Sequence, residues 1–89
     1  MEARLDIKAF QESFGKAVRR RRQAIGISQE EFASRCELHR TYVSEIERGL
    51  KSASLKAILA ISYALGCPPH VLLKEAEEYM EELTGLLNQ

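Results

Sequence analysis

Three glycines cut this chain into short pieces, and each piece has the spacing of a helix. Gly26, Gly49 and Gly66 each follow a run of periodic apolar residues, and glycine tolerates the left-handed conformation that ends many helices. Ser28 and Ser54 stand where the next runs begin. A serine there can accept a hydrogen bond from a free N–H of the first helical turn. Apolar residues recur at steps of three and four, and no stretch alternates long enough to make a strand. The pattern predicts an all-α fold of five helices, over about residues 6–25, 29–36, 40–48, 55–65 and from 69 into the 80s.

The inward positions follow from the same spacing. Phe10, Phe14, Ala17, Val18 and Ile25 line the first helix. Phe32 and Ala33 face inward from the second, and Val43 and Ile46 from the third, with Leu38 packing where the third begins. Leu55, Ile58, Leu59, Ser62 and Leu65 share helical spacing in the fourth. Leu72, Ala76, Tyr79, Leu83 and Leu86 form a stripe on the fifth, which Pro69 can start. Glu31 lies three residues after Ser28, the spacing of a capping box.

With 89 residues and 45% of them apolar, the chain makes one folded domain over 1–89, its core over about 10–75. No apolar run approaches the roughly 20 residues of a membrane span. The opening MEARLDIKAF holds acids and no apolar centre, unlike a secretion signal. These features predict a cytoplasmic location. Cys36 and Cys67 are expected to be reduced thiols there. The net charge of zero hides an offset. Residues 1–53 hold 11 basic and 8 acidic side chains, whereas residues 54–89 hold 2 and 5. The front half can face a polyanion while the back half avoids it.

The second and third helices carry the functional pattern. Both are short, about three residues join them, and each turns only a few apolar side chains inward. That is the layout of a helix-turn-helix, whose second helix enters the DNA major groove. With Val43 and Ile46 inward, Arg40, Thr41, Ser44 and Glu45 are left outward. Arginine can make two hydrogen bonds to guanine, threonine can meet the thymine methyl, and glutamate can accept from the cytosine amino group. Tyr42, Arg48 and Lys51 flank this set and suit phosphates, which fix register without reading sequence.

GISQEEFASRC, LHRTYVSEIERG and SASLKAILAISYALG, in that order, resemble the XRE-type, lambda-repressor-like helix-turn-helix family. The likeness covers about residues 14–75. RTYVSEIER is most similar to the controller proteins of bacterial restriction–modification systems, which are dimeric regulators of transcription. The resemblance implies a compact five-helix domain with an extended C-terminal helix. It implies Arg40, Thr41, Ser44 and Glu45 at bases, and Gln29, Tyr42, Arg48, Lys51 and Ser52 at the DNA backbone or groove edge. It also implies a structural pair between Arg22 and Glu47 that ties the first helix to the recognition helix.

Two positions depart from that family pattern. Glu37 stands where the family has a turn glycine, and a side chain held at positive φ costs roughly 1–2 kcal/mol. Arg21 replaces a leucine near the apolar face, so its stem is expected to pack while its head reaches solvent. The run VRRRRQ, residues 18–23, thus separates on the helix. Arg22 turns inward, Arg21 lies on the apolar edge, and Arg19 and Arg20 stay outward.

Other chemistries are open to a few of the same residues. Cys36 and His39, and Cys67 and His70, form two C-x-x-H pairs, a set able to bind zinc. Some thirty residues separate the pairs, and both cysteines fall at small apolar positions, so no metal and no cofactor are expected. No triad or phosphate-binding glycine loop marks an enzyme. On the last helix, over about 69–87, Tyr79, Met80, Leu83, Leu86 and Leu87 exceed what so small a core needs. They are expected to form a homodimer face, with folding back onto the first helix as the simpler alternative. The expected function is sequence-specific regulation of transcription by a homodimer on a palindromic operator, with RNA polymerase as a further contact. A toxin–antitoxin regulator and a protein-interaction module without DNA binding are the alternatives.

Overall fold

Side-chain caps set the helix boundaries. The computed structural model describes residues 6–85. It contains α1 (Ile7–Ile25), α2 (Gln29–Cys36), α3 (Arg40–Glu47), α4 (Leu55–Leu65) and α5 (Pro69–Thr84). No strand occurs among the described residues. The Asp6 carboxylate accepts from the Ala9 N–H at 2.9 Å and opens α1. Ser28 and Ser54 accept from the N–H groups of Glu31 and Ala57, each at 3.0 Å, and open α2 and α4. The capping box is half formed, because Glu31 turns its carboxylate to Arg35, 3.2 Å away along the same helix.

One face of each helix meets in a common core. Phe14 and Val18 of α1 join Phe32 of α2, Val43 and Ile46 of α3, Ile61 of α4 and Leu72 of α5. Two sequence expectations fail here. Ile25 is 44% exposed, because α1 runs on past Val18, its last buried residue. On α4, Ser62 and Leu65 are buried and Ile58 packs on the core as expected, but Leu55 and Leu59 are exposed while Ala57 and Ile61 are buried. The segment LKAILAISYAL is apolar nearly all round, so its periodicity does not favour one face.

Two glycines bring α1 against the end of α3. A Cβ on Gly15 would overlap the Ile46 carbonyl oxygen and lie 2.6 Å from that of Glu47. A Cβ on Gly49, at φ +74°, would come within 2.8 Å of the Glu12 Cα. The two backbones can approach this closely only where no side chain intervenes.

α5 lies along α1, with Leu72, Ala76 and Met80 buried. The Arg21 head does not simply reach solvent. It grips Glu75 of α5 with two bonds, Nε to Oε1 at 2.8 Å and Nη2 to Oε2 at 2.5 Å. The carboxylate holds the guanidinium in its charged form, raising its pKa further. Lys16 and Arg20 lie over the Tyr79 ring, at 4.6 and 5.4 Å from its centre, attracted to its electron-rich face.

Two substitutions check these strains. Glu37 sits in the left-handed region at φ 56° and ψ 42°, so Glu37→Gly should raise stability by about 1 kcal/mol. An unchanged or lower melting midpoint would count against strain at this turn. Gly15→Ala gains about 1 kcal/mol in an open helix interior, but here it should lower the melting midpoint. A rise would show that α1 and α3 are not in the contact described.

Candidate nucleic-acid interface

The candidate interface is built around one buried carboxylate. Glu47, the last residue of α3, has a side chain only 1% exposed. Its Oε2 accepts from Arg22 Nε at 2.7 Å. Its Oε1 accepts from Arg22 Nη2 and from Gln29 Nε2, each at 3.0 Å. The remaining arm of the guanidinium, Nη1, donates to the Ile27 carbonyl at 2.8 Å. A single carboxylate thereby joins α1, the first residue of α2, and α3. The Arg22–Glu47 pair stands where the sequence expects it. Gln29 as a third member was not expected, since neither periodicity nor capping chemistry marks it.

Around this anchor, α3 displays its polar face. Arg40 and Thr41 are exposed, and Ser44 and Glu45 are half-buried beside them. Ser28, Gln29, Glu30 and Arg40 line one shallow concavity where the start of α2 meets the start of α3. The fold thus brings Gln29, expected at a phosphate, next to Arg40, expected at a base. Arg48 and Ser52 are exposed just past α3. Lys51 Nζ lies 3.7 Å from Glu45 Oε1, an exposed pair of the kind worth about 0–1 kcal/mol, and readily exchanged for a phosphate.

Tyr42 is more tightly committed than the sequence suggests. Its hydroxyl donates to the Ser52 carbonyl at 3.3 Å and accepts from the Ser54 N–H at 3.1 Å. The ring is half-buried against the core. The side chain therefore pins the loop carrying Lys51 and Ser52 onto the recognition helix.

The cysteine–histidine pairs do not gather into a ligand set. Among the described residues, no three His, Cys, Asp or Glu side chains converge. Burial pushes the Cys36 thiol up to about 11, and Cys67 is also raised by burial, beside Arg21. Of the residues expected at a dimer face, Met80 is buried in the chain's own packing and Tyr79 lies under two cations. Leu83 is 60% exposed. Leu86 and Leu87 lie outside the described residues. Among the described residues, no single helix is long and apolar enough to cross a membrane.

Comparison with known proteins places this geometry. A helix-turn-helix family model matches residues 18–72. The control protein C.BamHI of Bacillus amyloliquefaciens is 51% identical over 61 residues, which cover 67% of this chain and 75% of that protein. The crystal structure of the restriction-modification controller protein C.AhdI from Aeromonas hydrophila matches at 40% identity with a TM-score of 0.68. That match covers 70% of this chain and 94% of the other. The clp gene regulator ClgR from Corynebacterium glutamicum matches at 29% identity with a TM-score of 0.81, over 89% of this chain and 84% of the other.

The buried pair yields a test with a definite sign. Arg22→Leu leaves a buried carboxylate without its charge partner and should cost about 3–5 kcal/mol. The double variant Arg22→Leu/Glu47→Leu should be less destabilised than Arg22→Leu alone, because no uncompensated charge remains. Equal melting of wild type and Arg22→Leu would remove the pair from its structural role.

Proposed function

We propose, since this chain belongs to the XRE-type helix-turn-helix family of DNA-binding regulators, that it regulates transcription as a homodimer bound to a palindromic operator. The observation that carries this reading is the exposed edge of α3, where Arg40 and Thr41 stand beside Gln29 on a frame locked by Glu47. Arg40, Thr41, Ser44 and Glu45 read bases. Gln29, Arg48, Lys51 and Ser52 hold phosphates, and Tyr42 assists by fixing the loop that carries two of them.

The mechanism is occupancy. Two recognition helices, one per copy, enter successive major grooves on one side of the duplex, roughly 34 Å apart. The bound dimer sits near a promoter and either blocks RNA polymerase or contacts it. The protein works in the cytoplasm, on the nucleoid. Binding weakens steeply with salt, because each phosphate contact releases counterions. No step needs a metal, a cofactor or a catalytic residue. The relatedness to control protein C.BamHI and controller protein C.AhdI supports a place beside a restriction–modification system.

Selection of bound sequences from a random duplex pool, followed by gel shifts, tests the reading. A symmetric site should emerge. Arg40→Ala should cost about 1–3 kcal/mol on that site and relax preference at one base pair per half-site. An equal loss on all sequences would make Arg40 a phosphate contact. No preference among sequences at low salt would favour an interaction module.

A further inference from the structure

A cavity of about 210 Å³ lies behind the loop that follows α3. Its apolar wall is Phe10 and Phe14 of α1, Ile58 of α4 and Leu73 of α5, with Ala53 of the loop. Phe14 belongs to the buried core, and the other four pack on it half-buried. The polar residues of the lining are Gln11, Lys51 and Ser52, and among the described residues no carboxylate joins them. We propose that this cavity takes a small monocarboxylate with an apolar body, whose anionic head occupies Lys51 and Ser52 in place of a DNA phosphate. The competition rests on the phosphate-contact reading above; the binding itself does not.

The lining selects the class of ligand. An apolar concavity with a few polar groups is the general form of a small-molecule site. This one is smaller than the usual range of roughly 300–1,000 Å³, so it suits an acyl chain or a single ring and not a nucleotide. Charge then fixes the sign of the head. Lys51 carries the lining's charge, and its contact with Glu45 is loose at 3.7 Å. An ammonium has three donors to share. Among the described residues, the Gln11 carboxamide and the Ser52 hydroxyl have no hydrogen-bond partner, so both are open to a carboxylate. An amine would meet the Lys51 ammonium and find no acid.

The cavity is also tied to the candidate DNA surface. The Tyr42 hydroxyl on α3 donates to the Ser52 carbonyl and accepts from the Ser54 N–H. The loop wall is thereby fixed before a ligand arrives, which lowers the cost of binding. A head group and a phosphate cannot use the same donors at once. Linkage makes the effect mutual: the ligand weakens DNA binding by the factor by which DNA weakens the ligand.

Titration of the full chain with octanoate, kept below its micelle concentration and followed by amide chemical shifts, tests the cavity. Saturable shifts should gather at Phe10, Ala53, Ile58 and Leu73, with a dissociation constant of about 1 mM or tighter. 1-Octanol should bind on the order of tenfold more weakly, and octylamine not at all. Leu73→Phe fills the cavity from α5 and should abolish binding while leaving gel shifts unchanged. Lys51→Met should erase the preference for octanoate over octanol, and it decides the matter if Leu73→Phe does not fold. On the selected operator, saturating octanoate should raise the dissociation constant about tenfold. Unsaturable shifts spread over all five helices, equal binding of the three probes, or binding that leaves operator affinity unchanged would overturn the proposal. No preference among DNA sequences would sink the DNA reading and the competition with it, while the shifts, measured without DNA, still decide the cavity.

Discussion

Glu47 is the knot of this molecule. Its carboxylate is buried at the end of the recognition helix, and its oxygens are filled by Arg22 of α1 and Gln29 of α2. A carboxylate taken out of water is costly unless its charge and its lone pairs are both met. The arrangement of the three helices meets both. The angle at which α3 is presented is therefore set from within, by α1 and α2.

The glycines complete that constraint. Gly15 lets the α1 backbone lie against the last carbonyls of α3, and Gly49 lets the chain leave α3 past Glu12. These contacts place Arg22 at the distance that Glu47 requires. One residue back along the arginine run, Arg21 does for α5 what Arg22 does for α3, gripping Glu75. Arg20 rests on Tyr79. A stretch that looks like a polyanion-binding block is mostly a set of fasteners: Arg20, Arg21 and Arg22 are each held by a different neighbour, because successive helical residues point in different directions.

The outer surface then divides by chemistry. The start of α2 and the polar edge of α3 form a hydrogen-bonding front. The outside of α5 is acidic. Between them, α4 presents Leu55, Leu59 and Tyr63. Tyr42 links the front to α4.

The sequence by itself determined the helices and their limits. Those features are local: a serine cap, a left-handed glycine and a three–four apolar spacing act within a few residues. The Arg22–Glu47 pair was legible as well, through the family resemblance. The partners of Arg21 and Gln29, the need for Gly15 and the hydroxyl bonds of Tyr42 were not. Each depends on which elements meet in space, at separations of up to 54 residues for Arg21 and Glu75. The face of α4 was hidden for another reason. Leu, Ile and Ala surround that helix almost evenly, so its own pattern does not choose a side. Only packing against its neighbours decided that Ile61 turns inward and Leu59 outward, because that choice depends on which helices meet in space.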